Sequence, residues 1–335
     1  MKQKQRFRIC CTLFDLLFVG LIIFQLTHGS IHLTGPEIGQ VLRGQGSAQA
    51  KLVLLQFRLP QIALSVICGV CLSLSGAILQ LVTENPLADT SIMGINAGAS
   101  LGAVVFLALG YLNIPLPQTY GLPLFAVLGS LLGASIVFIQ RRLQQPLQLL
   151  LLGIASGTLL NGIILLIELQ LNQFDFDKLI IWISGDFWNQ DWSYIAVLSL
   201  GLLLLLPLTI RGLWASDLLS LGQQAASGLG LGVAGKRQLL LLMAVLLAGL
   251  AVAGGGAISF VGLMAPHIAR RLVGNHGRYY LPLTALLGVN IVLFAAVLAE
   301  NIFAPNQLPV GLVVAVITMP YFIYLLLHQT DRTII

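Results

Sequence analysis

Charge is what this 335-residue chain has least of: 17 Lys and Arg and 12 Asp and Glu make 9% of it. Soluble domains carry about 25%. With 57% hydrophobic residues and a mean hydropathy of +0.94, a soluble domain is excluded and a membrane protein indicated. The net charge of +5 does not point to nucleic acid, because the basic residues stand singly or in pairs between apolar runs. Cysteine is scarce as well. Of four, Cys68 and Cys71 form a C-x-x-C inside an apolar helical run, where helix packing is a better reading than redox chemistry. Histidine is limited to His28, His32, His267, His276 and His328. His28 and His32 lack a third ligand nearby, which argues against a metal site, and no Ser/His/Asp grouping supports an enzyme.

What the chain has in quantity is apolar runs of spanning length. Nine fall near residues 9–26, 62–81, 92–112, 121–139, 147–169, 193–210, 237–260, 281–299 and 308–327. The first follows a basic start, Lys2 to Arg8. It is long for a signal sequence and no small-residue cleavage site follows, so it reads as a retained span. A tenth candidate, Phe260–Gly274, is too short at about 1.5 Å per residue to cross a core of about 30 Å. The positive-inside rule requires it nonetheless. With a cytoplasmic N-terminus, Arg270, Arg271 and Arg278 fall inside only if the chain crosses again there. Four of 17 basic residues then stay outside: Arg43, Lys51, Arg58 and Lys178. The expectation is an all-α, polytopic protein of about ten transmembrane helices with both termini cytoplasmic. The tenth crossing must be irregular and shielded by protein.

Two segments align at an offset of 180. Gly76, Ala77, Ile78 and Pro86 match Gly256, Ala257, Ile258 and Pro266, and Gly69 and Gly94 match Gly249 and Gly274. Five spans separate the copies, so they face opposite ways, as in the inverted repeats of transporters. The repeat halves run over 58–170 and 237–327 of a single permease-like domain. Gly98/Gly102 and Gly129/Gly133 carry the small-residue spacing of close helix packing. Glu168, Asn96, Ser156, Thr158 and Asn161 are the main polar groups within spans. No charge pair stands at membrane depth, which weighs against an ion-coupled carrier. His267, after Pro266 at the outer end of the irregular crossing, reads as a hydrogen-bonding helix-end residue.

The longest inside loop, 211–236, ends in two decoys. Gly230, Gly235 and Lys236 fit a phosphate-binding loop up to Arg237, where Ser or Thr is required for Mg²⁺. Gly230, Gly232 and Gly235 form G-x-G-x-x-G without a preceding strand or a later acidic residue. Neither supports nucleotide binding. The loop reads instead as a short helix, Asp217–Gly228, with Leu218, Leu219, Leu221 and Ala225 roughly on one face to pack on another protein.

FRLPQ (57–61), GAILQLVTENPLAD (76–89), GINAGASLG (94–102), SLGQQAASGLGL (220–231), ISFVGLMAPHIARRLVG (258–274) and LPVGLVVAVITMPYFIYLL together resemble the FecCD/BtuC-type permeases of ABC importers. The resemblance covers about Arg58 to Leu327. It implies two permease subunits around a shared pathway, two cytoplasmic ATPases holding ATP and Mg²⁺, and a periplasmic or lipid-anchored binding protein outside. No cofactor is implied for this chain. The coupling loop would comprise Leu218, Leu219, Leu221, Gly222, Gln223, Ala226, Leu229 and Gly230. Pathway positions would be Ser156, Gly157 and Asn161, with Asn85, Pro86 and Asn96. Gly256, Pro266 and His267 belong to the irregular, gating helix. Arg58 matches an arginine that pairs with carboxylates on the binding protein. Gln61 and Glu300 stand where the family has further docking positives, Ala296 departs from an Asp, and Gln223 replaces an acidic coupling residue. These losses favour pairing with a second, related permease over self-pairing. Ferric siderophore is the expected cargo and the bacterial inner membrane the expected location. Vitamin B12 or haem is the alternative, and an ion-coupled carrier or a scaffold the rival class.

Overall fold

The computed structural model describes residues 3–29, 31–111, 117–138, 146–170, 173–187, 191–213, 217, 228, 232–304 and 306–329. The described residues are helical, with no strand among them. Apolar backbone in lipid must satisfy its own hydrogen bonds, and helices do so within one segment. α1 (Gln3–Thr27) leads to an outer region of two short helices, α2 (Gly35–Leu42) and α3 (Ala48–Leu52). A π-helical turn, Val53–Arg58, then runs into α4 (Leu59–Val82). α2 opens on Thr34, whose amide and hydroxyl donate to Glu37, with Pro36 in its first turn, whereas α3 and the π-turn are too short to carry a periodic signal. Then come α5 (Ile95–Tyr111), α6 (Gln118–Phe138), α7 (Pro146–Glu168), the short α8 (Gln173–Ile183) and α9 (Trp192–Leu213). The chain ends with α10 (Val233–Gly255), α11 (Val261–Val273), α12 (Gly277–Asn301) and α13 (Val310–Gln329).

Seven segments of the described chain are long and apolar enough to cross a membrane, and two shorter apolar helices, Ile95–Gly110 and Val310–Tyr324, join them. These two and α11 overlap the remaining expected spans in sequence, while length and composition qualify seven segments and not ten. α4 is the hub. It is buried along nearly its whole length, and α10, α11 and α12 pack around it. α4 and α10 run antiparallel: Ser75 Oγ donates to Ala244 O at 2.6 Å, Cys68 Sγ to Ala251 O at 3.4 Å, and Arg237 pairs with Glu84 at the far end.

α5 and α6 meet through the small-residue stripes. A Cβ on Gly98 would stand 2.3 Å from Gly129 O, and one on Gly102 2.0 Å from Phe125 O. The spacing is therefore a packing device at these four positions. The offset-180 pairs behave differently from one another. Gly94 and Gly274 both take positive φ, 71° and 81°, ahead of α5 and α12. Gly76 lies within α4 against Gly262, whereas Gly256 closes α10 at φ 66°.

Candidate functional site

α10 stops at Gly256 because its positive φ and its closeness to the Trp182 carbonyl (2.1 Å from where a Cβ would stand) suit glycine alone. Residues 256–260 are non-helical, and α11 does not begin until Val261. Protein groups hold this stretch. Ala257 N–H donates to Ile183 O, Asn96 Nδ2 to Ile258 O at 3.1 Å, and Phe260 N–H to Asp89 Oδ2 at 3.4 Å. Gln80 Nε2 reaches the carbonyls of Gly262 and Leu263. Since α4 and α10 are antiparallel, this contact sets the start of α11 well down α4, toward the Glu84 end. The short crossing is thus a protein-lined non-helical drop followed by a 13-residue helix. Phe260 carries the strain: its φ of 66° is left-handed, a rare state for a bulky residue. Pro266 is buried within α11. His267 corrects the sequence reading: it lies in the middle of α11, not at a helix end, because the left-handed Phe260 starts the helix six residues earlier. Its ring meets Tyr321 edge-on at 5.9 Å.

The outer residues converge. Arg58, Gln61 and Glu300 line one cavity of about 500 Å³ with Phe57, Asp186 and Asn306 among its walls. Arg58, expected as an outward docking charge, is 1% exposed. Its guanidinium donates to the carbonyls of Leu26 and Ile31, pinning the end of α1 and the following loop to the start of α4. Gln25 Nε2 bridges Glu300 Oε2 at 2.5 Å and Gln61 Oε1 at 3.1 Å. The π-turn aims Arg58 inward by adding a residue to the helical turn. Gln25 is a further member of this network, not anticipated from the sequence. A lone amide in an apolar span was the available signal. Asp89, equally unanticipated and 1% exposed, accepts from Ser91 N–H and Ser91 Oγ as well as from Phe260 N–H.

The pathway candidates separate. On α7, Ser156 and Gly157 are buried, Ser156 Oγ donating to Gly153 O at 2.9 Å and packing beside Gly94. Asn161 and Thr158 face outward on the opposite side. Asn96 is 3% exposed and structural. Asn85 and Pro86 form the turn after α4, with Asn85 Oδ1 accepting from Leu87 N–H at 2.9 Å. Of the three α7 positions Asn161 alone is exposed. The coupling residues Leu218, Leu219, Leu221, Gly222, Gln223, Ala226, Leu229 and Gly230 lie outside the described residues. Beside them, Asp217 pairs with His276 at 2.7 Å and accepts from Gly277 N–H at 2.8 Å, which ties the loop to the start of α12. Gly235 and Lys236 lie inside α10, so this stretch is helix where a phosphate-binding loop needs open backbone. Among the described residues no group of three His, Cys, Asp or Glu could hold a metal ion.

Residues 16–328 match the FecCD transport family. The iron(3+)-hydroxamate import system permease protein FhuG of Bacillus subtilis is 39% identical over 93% of this chain and 94% of its own length. The Fe(3+) dicitrate transport system permease protein FecD of Escherichia coli is 35% identical over 83% and 86%. A solved metal-chelate-type ABC transporter in an inward-facing conformation has a TM-score of 0.81 at 27% identity, covering 95% of this chain and 98% of that one. A helical, membrane-spanning architecture, a short buried crossing and similarity along almost the whole length agree: the chain belongs to the FecCD transport family.

Proposed function

We propose that this chain is the permease subunit of an ATP-binding-cassette importer that carries a ferric siderophore, or a related metal chelate, across the bacterial cytoplasmic membrane. The observation that carries the reading is similarity along nearly the full chain to permeases whose names specify ferric hydroxamate or citrate. The chain does no bond chemistry. ATP and Mg²⁺ act on two partner ATPases, whose closure moves the 211–236 loop and shifts the bundle between inward- and outward-open states. An external binding protein delivers cargo. The second permease meets the outward apolar faces of α7 and α13, where Leu151, Ile154, Leu312, Val316 and Met319 are exposed. Both termini are cytoplasmic.

Uptake of a ferric hydroxamate into cells expressing the full set of subunits tests the proposal. Transport should stop when the ATPase is inactivated and survive collapse of the ion gradient. The opposite pattern indicates an ion-coupled carrier. Uptake of vitamin B12 or haem in place of the ferric chelate overturns the cargo assignment.

A further inference from the structure

Among the described residues, Glu84 and Phe260 are the non-glycine residues with positive φ, 52° and 66°. Left-handed backbone is unfavourable for such side chains and collects at switch regions. The two are joined. Glu84 lies just past α4 and opens the turn that runs to Asp89, and Asp89 Oδ2 accepts from Phe260 N–H at 3.4 Å. The turn is held as one piece. Asn85 Oδ1 accepts from Leu87 N–H at 2.9 Å, Asn85 O from Ala88 N–H at 3.1 Å and Asp89 O from Met93 N–H at 3.0 Å. Ala88, Asp89 and Thr90 are 2, 1 and 1% exposed, so the piece is seated firmly in the protein.

At its other end the turn meets the start of α10. Arg237, in the second turn of that helix, pairs with Glu84. The 211–236 loop runs into α10, and Arg237 is the next residue along the chain. Stability does not account for this pair. The side chains are 26% and 56% exposed, and such ion pairs add little to folding. Glycine adopts a φ of 52° without penalty, so glutamate at position 84 sacrifices backbone comfort and keeps a carboxylate. A shift in the first turns of α10 is resisted along the helix by its bonds to Ser75 and Cys68 of α4. The turn reaches Phe260 without passing those bonds. We propose that Glu84 is a positioning residue for transport: through Arg237 it takes up movement of the 211–236 loop, and by way of the rigid turn and Asp89 it passes that movement to Phe260 and the non-helical crossing. The inference rests on the importer reading above and specifies where in this chain the motion of the loop enters the membrane-spanning part.

The test uses the full importer in proteoliposomes, with ATP hydrolysis and ferric hydroxamate uptake measured together. Glu84→Gly removes the carboxylate and relieves the backbone, so it should fold at least as well as the unaltered chain. Uptake per ATP hydrolysed should nevertheless fall by about two- to fivefold, the scale of one half-exposed ion pair. Arg237→Gln should match it, and the charge exchange Glu84→Arg with Arg237→Glu should recover most of the loss. In a Ser259→Cys background, ATP should alter the rate of thiol labelling, and Glu84→Gly should blunt that response. Unchanged uptake per ATP in Glu84→Gly, with labelling still responsive to ATP, overturns the proposal and leaves α10 itself as the route. A charge exchange no better than the single variants overturns the role of the pair. Absence of ATP-driven uptake in the unaltered complex overturns the importer reading itself, and is read before any variant is compared.

Discussion

Gly102 and Gly110 lie two turns apart on α5 and have opposite surroundings. A Cβ on Gly102 would stand 2.0 Å from a backbone oxygen of α6, while one on Gly110 would meet nothing within 4 Å. Backbone cannot swing aside as a long side chain can. Gly102→Ala should therefore destabilise the protein by about 1–3 kcal/mol through overpacking. Gly110→Ala should be neutral or slightly stabilising through helix propensity. Thermal unfolding of the two variants in detergent separates them, and equal melting temperatures would contradict close α5–α6 packing. Arg58 is the other residue whose neighbours decide its effect. Two backbone carbonyls rely on its guanidinium, and Glu300 lies across the same network. Arg58→Gln should cost about 2 kcal/mol or more of stability, because buried acceptors lose their donors. The check is unfolding of the permease without any binding protein. A variant with wild-type stability and reduced docking would restore Arg58 to the external interface.

At the scale of elements, the short crossing depends on Asp89. Its carboxylate collects Ser91 and the Phe260 amide, so the turn after α4 and the entry to α11 share one acceptor. Asp89→Ala should free Phe260 from its left-handed conformation and loosen residues 256–260. A cysteine placed at Ser259 should then react faster with a membrane-permeant thiol reagent in the Asp89→Ala background than in an otherwise unaltered chain. Unchanged labelling would show that Gly256 and Asn96 alone hold the crossing. The existence of this crossing was legible in the sequence, since Arg270, Arg271 and Arg278 had to return inside. Its anatomy was not. Hydropathy registers apolar length, and the crossing is made by turns whose partners, Asp89, Asn96 and Ile183, come from distant positions. The same limit explains His267. Pro266 resembles a helix boundary in sequence, whereas packing against α4 carries the helix through it. Gln25 was hidden because its role requires Gln61 and Glu300, 36 and 275 residues away.

The whole molecule leaves apolar surface that its own fold does not cover. α7 and α13 expose Leu151, Ile154, Leu159, Leu312, Val316 and Met319, with Asn161 and Thr158 among the outward groups of α7. Acyl chains can meet the leucines but give an amide no hydrogen-bond partner. A protein partner across α7 would resolve this, and the second permease proposed above would supply one. The outer cavity adds the reason to expect a different chain there. Arg58 is committed to carbonyls within this subunit, Gln61 is neutral and Glu300 is acidic. Two copies of this surface would offer the same positive-poor face twice, whereas a related permease with basic residues at these positions would present an asymmetric pair to the binding protein. Purified from cells that also produce such a permease, this chain should be recovered in a one-to-one complex with it, read by native mass spectrometry. Asn161→Leu should reduce that recovery while leaving membrane insertion intact. A stable homodimer that docks the binding protein and transports unaided would contradict the asymmetric arrangement, and the cavity charges would then serve the subunit's own fold.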